Sequence, residues 1–315
     1  MEKVLVTGGN GFIGRQVVWH LFEAGYEPVV IDWENKLGLP SFTLSFDDRN
    51  VLQIMKNNGI KKVIHLAADH EVGRSMDEPS VYYNNNVASS IRFLDMCIQA
   101  GVEQFIFSSS SSVYDAYSTD NGVCLEYSKL GGSSPYARTK QMFEHILLDY
   151  GAAYGIKTIS LRYFNAAGAS PDLLHGYTQE PPTHLFPVLA KCFVEDAPFT
   201  IHGDDYGTED GTCIRDYTHV DDIARAHVSA LNYSGPRGAF NLGMGEGYSV
   251  QEIIQEFCDY TGKVISVEVG PRRPGDVPKR IANWGLAYNL LNWKPMWTLK
   301  DMVMHAYEWE KLRCK

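Results

Sequence analysis

The sequence predicts an α/β protein: a doubly wound parallel sheet over its first half, joined to a smaller C-terminal α/β domain. Three observations lead there. A buried strand, a glycine-rich turn and an amphipathic helix follow one another at the N-terminus: Val4-Leu5-Val6, then Thr7-Gly8-Gly9-Asn10-Gly11-Phe12-Ile13-Gly14, then the stripe Ile13, Val17, Leu21. Short apolar runs alternate with helical periodicities as far as residue 165, the pattern of parallel strands joined by crossover helices. From about Ala166 the texture changes, with Pro171, Pro181, Pro182, Pro187 and Pro198 breaking the chain into short strands and long loops.

Taken in order, the first turn points to a ligand. Glycine at 8 and 11 lets the backbone turn tightly and approach a pyrophosphate, and Gly14 lets the helix pack closely on the strand. The helix N-terminus adds free N–H groups and the positive end of a dipole. Gly8, Asn10, Gly11, Phe12, Ile13 and Gly14 are therefore candidate dinucleotide contacts. The next strand, Pro28-Val29-Val30-Ile31, ends in Asp32 about twenty residues beyond the glycines, where a carboxylate accepts both ribose hydroxyls and repels a 2′-phosphate. That arrangement, the Rossmann fingerprint, favours NAD over NADP.

A weak strand near Phe42 to Phe46 and a helix around Val51 to Lys56 come next. The continuous run Val63-Ile64-His65-Leu66-Ala67-Ala68 reads as a buried strand whose end carries the candidate cofactor contacts Leu66, Ala67 and Ala68. Val87, Ile91, Leu94 and Ile98 mark a helix closed by Gly101. Phe105-Ile106-Phe107 is a strand closed by the serines Ser108 to Ser112. A helix from Ser134 to about Tyr150 precedes a strand from Thr158 to Tyr163. The expected division is a nucleotide-binding part over residues 1–165 and a mainly substrate-binding part over 166–315. The chain returns to the main sheet near 212–245, where Phe240-Asn241-Leu242-Gly243 reads as a late strand.

Composition sets the outer bounds. The 315 residues are 44% hydrophobic and 21% charged with a formal net charge of −10, which argues against a general nucleic-acid surface. No apolar stretch approaches the ~18 residues that span a bilayer. The N-terminus enters a core strand directly, so no signal peptide is expected. Cys97, Cys124, Cys192, Cys213, Cys258 and Cys314 are scattered without a Cys-x-x-Cys pair, as expected of free thiols in a reducing cytoplasm. The ten histidines show no metal-ligand spacing, and no metal is expected.

The chemistry centres on Tyr136-Ala-Arg-Thr-Lys140. Ser134 and Pro135 suit an N-cap and first helical position, which places Tyr136 and Lys140 one turn apart on one face. A phenol of pKa near 10 needs about 4 kcal/mol of help to act as a base at neutral pH. Lys140, a cationic nicotinamide ring and the helix N-terminus supply help of that kind. Tyr136 can then take a proton from a sugar hydroxyl while the attached carbon yields hydride, and Ser110 can donate to the same oxygen.

These segments carry a resemblance over essentially the whole chain. Thr7-Gly8-x-x-Gly11-x-x-Gly14, Ser108-Ser109-Ser110 before Val113-Tyr114, Ser134-Pro135-Tyr136-x-x-x-Lys140 and Arg162-Tyr163-Phe164-Asn165 resemble the extended short-chain dehydrogenase/reductases, in the NAD-dependent epimerase/dehydratase family. Asp210-Gly211-Thr212-Cys213-Ile214-Arg215-Asp216-Tyr217-Thr218-His219-Val220-Asp221-Asp222 and Arg272-Arg273-Pro274-Gly275-Asp276 narrow the likeness to the UDP-glucose 4-epimerases. The resemblance implies bound NAD, a UDP-sugar substrate and a homodimer built on the Val87–Ile98 and Met142–Tyr150 helices. It implies that Arg215 and Arg273 clamp the diphosphate, that Asp276 meets the uridine ribose, and that Asn165 meets a phosphate or the sugar. Asp47 and the adjoining Asp48 fall on the adenine side of the cofactor, Asn86 on the nicotinamide side, with Ser108 and Tyr163 also at the cofactor. His184, Leu185, His202 and Arg280 fall among the substrate contacts. Thr218, His219 and Asp221 read as bracing residues.

The mechanism implied is a redox loop without net redox. Hydride leaves C4 of the hexose as Tyr136 removes the 4-OH proton, the 4-keto sugar swings about its diphosphate, and hydride returns to the opposite face. Related dehydratases carry an Asp-Glu pair where this chain has Ser111 and Ser112, neither of which is an acid or base at neutral pH, so dehydration is not expected. Four positions depart from the family pattern. His70 replaces a lysine at the cofactor, His184 an asparagine near the phosphates, and His202 an aromatic beside uracil. Arg280 stands where a tyrosine or small residue gates room for an N-acetyl group, and a long Arg280 argues against acetamido sugars and can attract a carboxylate. Three readings stay open: a UDP-glucose/UDP-galactose 4-epimerase, the same reaction on a UDP-N-acetylhexosamine or UDP-uronic acid, and a catalytically silent nucleotide-binding scaffold.

Overall fold

The structure, a computed structural model, describes residues 1–34, 41–115, 119, 121–273 and 275–314; Pro274 of the Arg272–Asp276 motif lies outside them. Seven strands form the main sheet: β1 (Lys3–Thr7), β2 (Glu27–Asp32), β3 (Ser41–Thr43), β4 (Lys62–His65), β5 (Gln104–Ser110), β6 (Lys157–Tyr163) and β7 (Gly238–Leu242). Their order is β7-β6-β5-β4-β1-β2-β3, every pair parallel. Strand order reverses at β1, which has β2 on one side and β4 on the other, so a crevice opens beyond its carboxyl end at Thr7 and Gly8.

Both faces of this sheet are covered, which explains the unbroken apolar runs. Val4, Val6, Ile64, Ile106 and Leu161 point to one face, against the helices Phe12–Glu23 and Val220–Asn232. Leu5, Val29, Ile31, Val63, Phe105 and Phe107 point to the other, against Asn50–Asn58, Ser90–Ala100 and Pro135–Tyr154. A third core joins Phe186, Leu189, Phe193, Phe257, Met302 and Val303 from the helices Leu185–Glu195, Val250–Thr261 and Leu299–Arg313.

The two halves exchange strands. β7 returns to pair with β6, the late strand expected at Phe240-Asn241-Leu242. In the other direction, Val123–Cys124 leaves the first half to pair with Ile281 and Ala282, in a small sheet that also holds Ile214–Arg215 and Tyr248–Ser249. That second exchange has no signature in the sequence, because two residues are too few to show a period.

Several boundaries differ from expectation. The Val63–Ala68 run stops being strand at His65, whose ring is held by Thr7 Oγ1 (2.7 Å) and Ser90 Oγ (3.1 Å). Leu66 to Ala68 form the lip of the crevice instead. The helix expected from Val87 starts regular winding at Ser90, after a π-helical segment Asn84–Ser89. Asn84 there donates to Ser80 O (2.9 Å), and Asn86 reaches out to Asp69 (2.8 Å). Gly101 closes the helix with φ 73°, as its position predicts. Ser108 to Ser110 belong to β5 itself. No helix among the described residues is long and apolar enough to cross a membrane.

Candidate active site

The crevice fits a dinucleotide. Gly8 has φ 73°, and a Cβ there would lie 2.8 Å from the Ala67 amide nitrogen, so β4's lip closes directly on the turn. A Cβ on Gly14 would sit 2.0 Å from Gly8 O, which no side chain survives. The helix Phe12–Glu23 starts from Gly11 with no side-chain cap and no acidic residue in its first turn, leaving its first amides for an anion. Asp32 accepts from the Asn10 amide (2.7 Å) and the Trp33 amide (2.7 Å), which fixes its carboxylate at the tip of the glycine turn.

Across the crevice lies the Tyr136 helix. Ser134 caps it, accepting from the Ala137 amide (3.2 Å), and Pro135 opens it. Lys140, buried one turn on, donates to Ser108 O (2.8 Å) and lies 4.8 Å from the centre of the Phe107 ring and 5.8 Å from that of Tyr136. Alternation along β5 sorts the serines: Ser108 and Ser110 face the Tyr163 and Tyr136 phenols, while Ser109 turns to Glu144 on the other face. Ser112 in turn donates to Ser110 Oγ (2.9 Å).

The electrostatics show why Lys140 is not expected to act alone. Burial raises the Tyr136 pKa above its ordinary value, the Ser110 hydroxyl opposing it. Burial also pulls Lys140 down to about 7, with Glu144 opposing. The ammonium is spent on the Ser108 carbonyl rather than the phenol, so Lys140 alone does not make Tyr136 a base. A cation beyond this chain's own residues is needed at the phenol.

Arg162 and Glu144, given no role by the sequence, set this geometry. Their buried ion pair (2.9 and 2.6 Å) ties β6 to the Tyr136 helix one turn beyond Lys140, and Arg162 also donates to Tyr114 Oη (2.9 Å). The available signal was a charge at i+4 from Lys140 together with a lone arginine in an apolar strand.

Four expected cofactor contacts also have partners within the chain. Asn86 is buried, its amide bonding Asp69 N (2.9 Å), Asp69 O (2.8 Å) and Thr139 Oγ1 (3.3 Å), so it braces a loop. Asp47 is ion-paired with Arg92 (2.6 Å) and accepts from Ser45 (2.5 Å). Asp48 caps the following helix by accepting from the Asn50 amide (2.8 Å), and its own amide donates to Ser45 O (3.1 Å). The Tyr163 hydroxyl is buried against His227 Nε2 (2.5 Å).

The substrate side gathers around the small sheet. Arg215 Nη2 meets Asp276 Oδ1 at 3.2 Å, and Arg273 lies exposed near both. His202 neighbours Arg273 and Asp276 and lies beside Pro271. His184, the residue before the Leu185–Glu195 helix, stacks on His70 with ring centres 5.6 Å apart and meets Tyr177 edge-on at 5.5 Å. Burial, His70 and Arg273 together lower its pKa. Leu185 is half-buried and Asn165 exposed at the end of β6. Arg280 stands in register with Arg215 on the neighbouring strand and has no carboxylate partner among the described residues. Asp216 turns inward to the amides of Met244 (2.7 Å), Gly245 (2.9 Å) and Ala282 (3.0 Å). Thr218, His219 and Asp221 are buried bracing residues, as expected. The Asp210–Asp222 motif is thus mostly framework around Arg215.

Known proteins share this arrangement. The UDP-glucose 4-epimerase of Halalkalibacterium halodurans is 38% identical over 98% of this chain and 95% of its own length. The crystal structure of UDP-glucose 4-epimerase from Brucella ovis in complex with NAD is 37% identical, with a TM-score of 0.93 over 99% of both chains. That of UDP-glucose-4-epimerase from Stenotrophomonas maltophila, with bound NAD and formylated UDP-arabinopyranose, is 33% identical with a TM-score of 0.94 over 100% of this chain and 99% of its own. The sequence pattern described as the NAD dependent epimerase/dehydratase family matches residues 4–243, and the chain belongs to that family.

Proposed function

We propose that this chain is an NAD-dependent 4-epimerase of UDP-hexoses, interconverting UDP-glucose and UDP-galactose through a transient 4-keto sugar. The observation that carries the reading is the Tyr136 phenol with Ser110 acting on it and Lys140 one helical turn on, 5.8 Å from the Tyr136 ring centre. The similarity to UDP-glucose 4-epimerases over nearly the full chain supports it.

Gly8, Asn10, Gly11, Phe12, Ile13, Gly14 and Asp32 hold the dinucleotide, with Leu66, Ala67 and Ala68 as the opposing lip. NAD, when bound, supplies a hydride acceptor and donor and a positive charge near the phenol. Tyr136 takes the proton from the sugar 4-OH and later returns it, while Ser110 holds the same oxygen. Lys140, anchored by Ser108 O one helical turn from Tyr136, adds its charge to that of the cofactor when NAD is bound. Arg215 and Arg273 hold the diphosphate with His184 and Leu185 beside them, His202 and Asp276 hold the nucleoside, and Asn165 reaches the sugar or a phosphate. A clamp that grips only the nucleotide leaves the keto sugar free to turn and present its other face.

The nucleotide half is residues 1–165 with the β7 return, and the substrate half is mainly 166–315. We place the protein in the cytoplasm, on its composition and unpaired cysteines. We assign it a homodimer through the Pro135–Tyr154 helix, where Met142, Leu148 and Tyr154 are 44%, 47% and 60% exposed. The adjoining Ser90–Ala100 helix offers the polar Arg92, Asp95 and Gln99. Light scattering tests this, a monomer mass contradicting it. The activity is tested by incubating purified protein with UDP-galactose and following the sugar by NMR. UDP-glucose should appear, and absence of turnover in either direction contradicts the reading.

A further inference from the structure

Arg280 is the cation in this cleft without an assigned anion. It is half-buried, and burial together with the neighbouring Arg215 lowers its pKa. Asp276, ion-paired with Arg215 at 3.2 Å, also acts on Arg280 from a distance but forms no ion pair with it. A guanidinium withdrawn from water whose one neighbouring carboxylate is paired with another arginine is under-compensated, and favours an anion from the ligand.

Its position says which part of the ligand. Arg215 and Arg280 are in-register partners on adjacent parallel strands, so both side chains leave the same face of the small sheet. Two residues further along that face, Ala282 pairs with Cys124. Ala282 and Cys124 pack with Val113, Tyr114 and Phe164, the cluster that follows the Ser110–Ser112 turn. Cys124 in turn is an electrostatic neighbour of Arg280. Arg280 therefore stands between the diphosphate clamp and the floor that carries Ser110, where the hexose itself would lie.

Building on the 4-epimerase reading, we propose that Arg280 reads a carboxylate on the sugar ring, making UDP-hexuronic acids the preferred substrates of this site. A planar guanidinium matches a carboxylate with two parallel hydrogen bonds, which a neutral hydroxymethyl group cannot reproduce. The carboxylate takes no part in bond-making; Tyr136 and Ser110 act at O4 as before.

The test compares kcat/KM for UDP-galacturonate and UDP-galactose, by NMR, on the NAD-loaded enzyme. Wild type should favour the uronate by 10-fold or more. In Arg280→Gln the uronate-to-hexose ratio should fall about 100-fold, and Arg280→Lys should recover part of it. An unchanged ratio in Arg280→Gln overturns the proposal, since a guanidinium that served the diphosphate would weaken both substrates equally. A wild-type preference for UDP-galactose overturns it too. If neither sugar turns over, the epimerase reading fails, and calorimetry still decides this one. Tighter binding of UDP-glucuronate than of UDP-glucose, lost in Arg280→Gln and partly kept in Arg280→Lys, supports it; equal binding overturns it.

Discussion

Tyr136 shows how much one side chain depends on its neighbours. Its phenol sits in a place that raises its pKa, held by Ser110, with Lys140 turned to a backbone carbonyl. Removing only the hydroxyl, in Tyr136→Phe, should lower kcat by 10³-fold or more while the purified protein keeps its NAD, measured by activity and by absorbance of the released cofactor. A variant near wild-type rate would mean that another group moves the proton. At this scale the sequence was most informative where spacing fixes geometry: Tyr136 and Lys140 share a helix face whatever surrounds them. It was silent on the internal partners of Asp47, Asp48, Asn86 and Tyr163. A polar side chain that braces a loop, pairs with Arg92 or caps a helix has the same identity as one that greets a ligand, and only packing separates the two.

Elements are held in place by polar ties as well as apolar faces. The Glu144–Arg162 pair joins the Tyr136 helix to β6 where water is excluded. Glu144→Gln leaves a buried guanidinium unpaired and should cost about 3–5 kcal/mol in denaturant unfolding, and Glu144→Gln with Arg162→Met should recover much of it. A loss below about 1 kcal/mol would show the pair to be dispensable. At the glycine turn, Gly14→Ala drives a Cβ to 2.0 Å from Gly8 O, so the helix must move off the strand. The variant should purify without NAD and melt well below wild type; full NAD content would contradict the tight turn. Element identity was legible from period and punctuation, as Gly101 and the Ser134-Pro135 start show. The ends were not: the Val63–Ala68 run reads as one strand until His65 is seen braced by Thr7 and Ser90.

The whole molecule carries a pH signature. Burial lowers His65 and His219 to about 3 and His227 to about 4. Below about pH 6.5 the unfolded chain takes up protons at these rings that the folded chain refuses, so stability falls as pH drops from 6.5 toward 4. Asp216, raised by burial to about 7, acts in the opposite sense between about 7 and 3.8. Three histidines against one aspartate leave a net loss of up to about 3 kcal/mol per pH unit. Thermal melts at pH 6.5 and 5 should show a clear drop, and an equal or higher midpoint at pH 5 would refute these burials. At this scale the doubly wound sheet was legible because both its faces are apolar. The Val123–Cys124 crossing into the small sheet was not, although that crossing pairs with the strand that carries Arg280.

The central claim, that one phenol and a bound dinucleotide act on a single sugar carbon, is tested most directly with UDP-galactose deuterated at C4. Run in ordinary water, the reaction should give UDP-glucose that keeps its deuterium at C4, since the hydrogen is lent and returned within one active site. Loss of that deuterium to solvent would contradict the account.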